Sequence, residues 1–295
     1  MTDDERTVEA NGLDFAVRER GDGDRLALCL HGFPDDAGSM DPLAERLADA
    51  GFTAVAPYMR GYGPTGEAPD SDYSARALGA DAVALADRLV EDGGYDDAVL
   101  VGHDWGAVAG YSAARIDPDR FSKLVTMAVP PRFGAAIWDH PRQFLRSWYV
   151  WFFQLPGLAE RTLRREDFAM IEVLWNLWSP DWDYPDERIE SVKSTFRTGG
   201  TADAALQYYR QFVNPLVSDL FRNGRPDPGD APPIEVPGLV IAGADDGCIG
   251  PELFENAADA FDADARVVRI RDAGHFVHQE RPDVVAEEVI EFCSA

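Results

Sequence analysis

Short apolar runs recur along the first part of the chain, at Leu26-Ala27-Leu28-Cys29-Leu30, Thr53-Ala54-Val55-Ala56, Ala98-Val99-Leu100-Val101 and Lys123-Leu124-Val125-Thr126-Met127. Each is too short for a buried helix and reads as a strand covered on both faces. Amphipathic periodicity between the runs predicts helices over 39–50 and 75–90. Ahead of them, Thr7-Val8-Glu9-Ala10 and Asp14-Phe15-Ala16-Val17-Arg18-Glu19 flank Asn11-Gly12, a hairpin signal. Two antiparallel starters followed by alternating strands and helices indicate an α/β protein with a doubly wound, mostly parallel sheet.

The alternation stops at about Arg132. From there to Ala231 no apolar strand is evident, and the text turns aromatic and helical. Trp138, Trp148, Trp151, Trp175, Trp178 and Trp182 all fall in this stretch, and a loop rich in Pro, Gly and Asp at 223–233 closes it. The strand pattern resumes at Gly238-Leu239-Val240-Ile241-Ala242 and Val267-Val268-Arg269-Ile270, followed by a helix over 282–292. The expected organisation is a core of residues 1–131 and 232–295 with an inserted helical cap, or lid, at 132–231. Most of the tryptophans would fill the cap interior, and their concentration favours an apolar, water-poor pocket between cap and core.

A length of 295 residues suits one large domain with an insertion. No run reaches the roughly eighteen apolar residues of a membrane span. The polar start Met1-Thr2-Asp3-Asp4-Glu5-Arg6 does not read as a secretory signal. Cys29, Cys248 and Cys293 have neither metal-ligand nor disulfide spacing and read as core residues in a reducing cytoplasm. The net charge of −26, with Lys123 and Lys193 the only lysines, makes nucleic acid and anionic membranes poor partners. Such repulsion is screened by molar salt, so the composition resembles that of proteins from the salt-loaded cytoplasm of extreme halophiles.

Candidate chemistry concentrates at Gly102-His103-Asp104-Trp105-Gly106, between a buried strand and the small-residue helix 107–114. Strand, glycine-flanked turn and helix form the setting of a nucleophile elbow. Its apex is a carboxylate, ionised without help because its reference pKa is about 3.9. Asp104 can attack an sp³ carbon directly, and the resulting ester then needs a water, a general base and an oxyanion hole. Of five histidines, His275 sits in a glycine-preceded loop after the last strand and is the candidate base. His31 reads as a turn residue, His103 should point beneath the elbow, His140 falls in the cap, and His278 reads as structural. Asp245 and Asp246 follow the strand at 238–242, where open α/β sheets place their sites; Asp246 is preferred from its spacing after the glycine. The N–H groups of Trp105 and Phe33 are the candidate oxyanion donors.

With these residues in view, the chain resembles the α/β-hydrolase superfamily over essentially its full length, and within it the epoxide hydrolases. The resemblance rests on His31-Gly32-Phe33-Pro34, Arg60-Gly61-Tyr62-Gly63, the Asp104 elbow and Gly274-His275-Phe276. The order Asp104, Asp246, His275 is the superfamily's order of nucleophile, acid and base. Tyr149-Val150-Trp151-Phe152-Phe153-Gln154-Leu155-Pro156-Gly157 and Tyr208-Tyr209-Arg210 are similar to the segments carrying that family's ring-opening tyrosines, which places them at Tyr149 and Tyr209. The resemblance implies hydrolysis of a small apolar epoxide to a vicinal diol, with no metal or organic cofactor. Asp35-Asp36-Ala37-Gly38-Ser39-Met40 departs from it, since the family often has a tryptophan there. A haloalkane or haloacid dehalogenase would use the same nucleophile, but Phe33 stands where haloalkane dehalogenases usually offer an asparagine. A non-catalytic small-molecule receptor is the remaining reading, and an intact nucleophile, acid and base argue against it. The sequence sets no oligomeric state.

Overall fold

All eight expected strands enter one sheet, ordered β1-β2-β4-β3-β5-β6-β7-β8. They are β1 (Glu5–Ala10), β2 (Leu13–Arg20), β3 (Arg25–Leu30), β4 (Phe52–Pro57), β5 (Asp97–His103), β6 (Lys123–Met127), β7 (Gly238–Gly243) and β8 (Ala265–Ile270). The structure, a computed structural model, describes residues 5–224 and 231–294. Residues 1–4 and most of the loop read at 223–233 lie outside it. The β1–β2 hairpin turns through Asn11 and Gly12 at φ 45° and 76°, the pair of positive angles that a two-residue turn of matching twist requires. β2 pairs antiparallel with β4, and the pairings from β4 through β8 are parallel. The central strands β3, β4, β5 and β7 are buried almost throughout, which is why they read as unbroken apolar runs.

Helices α1 (Asp41–Asp49), α2 (Ala75–Gly93), α3 (Trp105–Ile116), α11 (Val277–Glu280) and α12 (Pro282–Ser294) accompany the sheet. The helix expected over 39–50 begins instead as a 3₁₀ turn at Ala37–Met40, because the Asp36 carboxylate accepts the Gly38 N–H and Pro42 starts a new helix. Between β6 and β7 the described chain holds only helices: α4 (Phe133–Ala136), α5 (Pro141–Arg146), α6 (Trp148–Phe152), α7 (Leu158–Arg164), α8 (Ala169–Trp178), α9 (Asp186–Arg197) and α10 (Thr201–Asn223), with a 3₁₀ turn at Ile137–Asp139. Trp175 and Trp178 are buried here, whereas Trp148 and Trp151 are 41% and 39% exposed, so the tryptophans do not all serve an interior. No helix among the described residues is long and apolar enough to cross a membrane.

Candidate active site

Asp104 stands between β5 and α3 at φ 50° and ψ −111°, a conformation rare for any residue with a side chain. Close packing holds it there. A Cβ on Gly106 would lie 2.1 Å from the Leu30 carbonyl oxygen, and one on Gly32 would lie 2.4 Å from the Asp104 Cβ. The turn after β3 can therefore approach the apex closely, and the Phe33 N–H donates to Asp104 Oδ1 at 2.8 Å. Trp105 opens α3, so its amide belongs to the first turn, where helix N–H groups lack intrahelical partners.

His275 follows β8 in a buried loop. Its Nδ1 bonds Asp246 Oδ2 at 2.9 Å, and its Nε2 lies 3.6 Å from Asp104 Oδ2. Asp246 is buried and its Oδ1 accepts the N–H groups of Cys248 and Ile249 at 2.6 and 2.9 Å, while Asp245 is exposed. Burial opposes protonation of His275, but Cys248, Asp246 and Asp104 outweigh it and hold its pKa well above the ordinary histidine value. The loop is also tied to α8. The Trp178 carbonyl, at the end of α8, accepts the N–H groups of both Gly247 and His275, at 3.0 and 3.1 Å. Next to it, the Ser179 hydroxyl donates to Glu280 Oε1 at 2.7 Å and accepts the Phe276 N–H at 3.3 Å, while Glu280 Oε2 accepts the Gly274 N–H.

Tyr149 on α6 and Tyr209 on α10 come together above Asp104, with ring centroids 5.6 Å apart. With Asp104, Trp105, Phe133 and Phe212 they line a small cavity of about 40 Å³. The Tyr149 hydroxyl is 3.3 Å from Cys248 Sγ. The Tyr209 hydroxyl and the Trp105 indole N–H are buried and interact with each other, and His275 Nε2 with Asp104, but none of these contacts is at full hydrogen-bond distance. Burial pushes the pKa of both tyrosines well above the usual phenol value, with the nearby Asp104 charge adding to it. Asp246, Cys248 and His275 also present three possible metal donors within 4.8 Å of one another. Both Asp246 oxygens are already engaged in hydrogen bonds, and burial raises the Cys248 thiol pKa, so the set fits a carboxylate–imidazole pair better than a resident ion.

The sequence model of the α/β hydrolase fold matches residues 28–282. The chain belongs to the α/β-hydrolase family. Within that family it is epoxide hydrolase-like. It is 32% identical to epoxide hydrolase A of Mycobacterium tuberculosis across 98% of this chain and 96% of that one. It is 31% identical to epoxide hydrolase 3 of Siraitia grosvenorii, across 97% and 96% of the two chains. Among solved structures, epoxide hydrolase A of Mycobacterium thermoresistibile superposes with a TM-score of 0.80 at 29% identity, covering 100% of this chain and 99% of that one.

Other residues of this α/β-hydrolase build the frame around the site. His31 Nε2 accepts the Met59 N–H at 3.1 Å, and His103, beneath the elbow, bonds the His275 carbonyl oxygen through Nε2 at 2.9 Å. His278 packs on His103 with ring centroids 4.3 Å apart, and His140 is half-buried in the insertion. Arg60 is buried in an ion pair with Asp81, and its carbonyl accepts the Tyr208 hydroxyl at 2.7 Å, which seats α10 beside the site. Sequence reasoning missed Arg188. This α9 residue bonds Asp35 and Asp36, both buried in the turn after Phe33-Pro34, and Thr195 adds a bond to Asp36 at 2.8 Å. Burial and the facing Asp36 raise the Asp35 pKa to about 7 despite Arg188, whereas Arg188 and Thr195 outweigh burial and hold Asp36 below the usual carboxylate range. The only signal was the pair of adjacent aspartates directly after Phe33-Pro34.

Proposed function

We propose that this α/β-hydrolase opens an epoxide to a vicinal diol through an ester at Asp104. The observation that carries the reading is the pairing, across one small cavity, of the Asp104 carboxylate with the buried hydroxyl of Tyr209 and its neighbour Tyr149. An epoxide needs both, because its leaving oxygen is too basic to depart without a proton.

In the first step Asp104 attacks a ring carbon, the carbon–oxygen bond breaks, and the oxygen takes a proton from a phenol. Burial keeps Tyr149 and Tyr209 protonated until that moment. Alkylation removes the negative charge of Asp104, one of the groups that raise the His275 pKa, and so prepares His275 to accept a proton. A water then gives its proton to His275, whose cation Asp246 stabilises, and the hydroxide adds to the Asp104 carboxyl carbon. The N–H groups of Phe33 and Trp105 would hold the tetrahedral oxyanion. Its collapse breaks the ester carbon–oxygen bond and expels the diol as an alkoxide. The two protons brought in by the water, one on His275 and one on the new Asp104 carboxyl, pass to that alkoxide and to the phenolate. This restores the phenol, the neutral imidazole and the carboxylate. In this account residues 132–231 act as the cap on a core of 1–131 and 232–295. With about 40 Å³ beside Asp104, α6 and α10 must part to admit substrate.

The Trp105 indole N–H, which lines the cavity and reaches only toward the Tyr209 hydroxyl, favours one second reading, a dehalogenase, because halide departure is helped by such donors. The Trp175 indole, however, is committed to the Pro34 carbonyl at 2.9 Å, and Phe33 brings no side-chain amide. An epoxide panel assayed for diol beside a haloalkane panel assayed for halide separates the two. Diol without halide supports epoxide hydrolysis; halide without diol overturns it.

A further inference from the structure

We propose that Arg188 on α9 is a positioning residue for ester hydrolysis. It holds the turn that carries the Phe33 N–H and neutralises the two carboxylates buried in that turn, so the oxyanion site is complete only while α9 is seated on it. This rests on the epoxide reading above and adds to it a condition on the second step.

Phe33 is followed by Pro34 and then by two adjacent acids, Asp35 and Asp36, whose side chains are 0% and 1% exposed. Each folds the turn back on itself. Asp35 Oδ1 accepts the Asp36 N–H at 2.9 Å, and Asp36 Oδ1 accepts the Gly38 N–H at 3.0 Å. Other elements take the remaining lone pairs. Arg188 Nη2 donates to both carboxylates, and its Nε donates to Gln279 Oε1 at 3.0 Å. Gln279 lies on α11, just past His275, and donates in turn to Asp35 Oδ2 at 2.7 Å. The Thr195 hydroxyl donates to Asp36 Oδ2 at 2.8 Å. Arg188 and Thr195 stand about two turns apart on α9 and so share one of its faces. Beside them, the Trp175 indole of α8 holds the Pro34 carbonyl at 2.9 Å.

Charge gives this contact its bearing on the reaction. Two buried carboxylates follow the oxyanion donor closely in the chain, next to a nucleophile that is itself an anion. Buried charges are tolerated only when paired. The buried Tyr62 phenol feels the charges of Asp104, Asp35 and Asp36 together, which puts all three in one electrostatic environment. His31 brings no compensation, because burial lowers its pKa to about 4 and leaves it neutral near pH 7. Among the described residues, the ion-pair partner of both acids is Arg188. Its removal leaves uncompensated negative charge near the Asp104 carboxyl, where addition of hydroxide to the ester places more. Ester formation has the opposite demand. It consumes the Asp104 charge, and the Phe33 N–H, 2.8 Å from Oδ1, stabilises the unreacted nucleophile. Arg188 therefore matters to ester hydrolysis and little to ester formation.

The test uses the full chain with cyclohexene oxide, and rapid-quench mass spectrometry follows alkylation of Asp104 and loss of the alkyl group separately. Arg188→Gln should slow ester hydrolysis about 100-fold and change alkylation less than about threefold, so alkyl-enzyme accumulates. Arg188→Lys restores the charge without the forked reach and should recover about tenfold of that loss. Thr195→Val removes one neutral donor from the same turn and should slow hydrolysis about threefold. These two milder variants must show the same selectivity for hydrolysis, so the outcome does not depend on whether Arg188→Gln folds. Arg188→Gln combined with Asp35→Asn removes the uncompensated charge and should hydrolyse the ester about tenfold faster than Arg188→Gln alone. The pH limb of hydrolysis should stay in place in every variant; a shifted limb would mean that Arg188 acts through His275 and would overturn the proposal. Unchanged hydrolysis, equal slowing of both steps, or a double variant no faster than Arg188→Gln would also overturn it and leave the epoxide reading standing. Neither alkyl-enzyme nor diol from the unaltered enzyme would overturn the epoxide reading and this inference with it.

Discussion

The main-chain N–H of His275 donates to the carbonyl of Trp178 at 3.1 Å, so the proposed base is fixed by α8 as well as by the sheet. The same carbonyl holds Gly247, beside Asp246, and Ser179 then links Phe276 to Glu280. Any movement of α8 is thereby felt by both halves of the acid–base pair.

Ser179→Ala removes a donor to Glu280 and an acceptor for Phe276. It should slow hydrolysis of the ester about tenfold, from a loss of about 1–1.5 kcal/mol in positioning, with less effect on ester formation. Rapid-quench kinetics would show alkyl-enzyme accumulating. Equal slowing of both steps would mean that Ser179 is merely structural.

Titration of His275 sets the pH dependence. Protonated His275 cannot accept a proton from water, so ester hydrolysis should rise with pH along a limb set by His275 in the alkyl-enzyme, below the free-enzyme value because the Asp104 charge is gone while Asp246 still favours the cation. The stability this histidine contributes runs the other way: it is complete below the unfolded-state pKa and is lost as pH rises through the folded one. Asp246→Asn removes a charge that favours the cation, so the limb should move to lower pH while kcat falls by about two to four orders of magnitude. A limb that stays in place would contradict the assignment of Asp246.

Tyr209→Phe deletes the buried hydroxyl at the cavity. Alkylation of Asp104 by an epoxide should slow about 100-fold, with ester hydrolysis little changed. Tyr149→Phe should act in the same direction while freeing the Cys248 thiol, and the double variant should be close to inactive. Single-turnover rates of alkylation provide the measure.

Much of this was readable in the chain because the signals are local. The eight strands stand out as apolar or alternating runs, and the elbow glycines and the loop around His275 announce themselves within a few residues. Of the adjacent pair, the buried Asp246 bonds His275, whereas Asp245 is exposed, a difference their neighbouring positions in the chain do not reveal. What the chain hid are contacts between distant segments. Arg188 lies 153 residues from Asp35, and Ser179 lies 101 from Glu280. In isolation each of these side chains resembles a solvated surface residue. The exposed Trp148 and Trp151 mislead in the opposite direction, since aromatic text in a helical stretch reads as interior.

We propose that the net charge of −26 reflects adaptation to high salt. If so, dialysis from molar to millimolar salt should lower Tm markedly, because the Debye length grows from about 3 Å at 1 M to 30 Å at 0.01 M. Thermal melts across a salt series would show it, and a flat series would refute it.

The central claim is the ester at Asp104, and isotope placement tests it most directly. In a single turnover with excess enzyme in ¹⁸O-water, hydroxide adds to the Asp104 carboxyl carbon, so mass spectrometry should find the heavy atom in the peptide containing Asp104 and none in the first-formed diol. Heavy oxygen in that diol, with Asp104 unlabelled, would contradict the account.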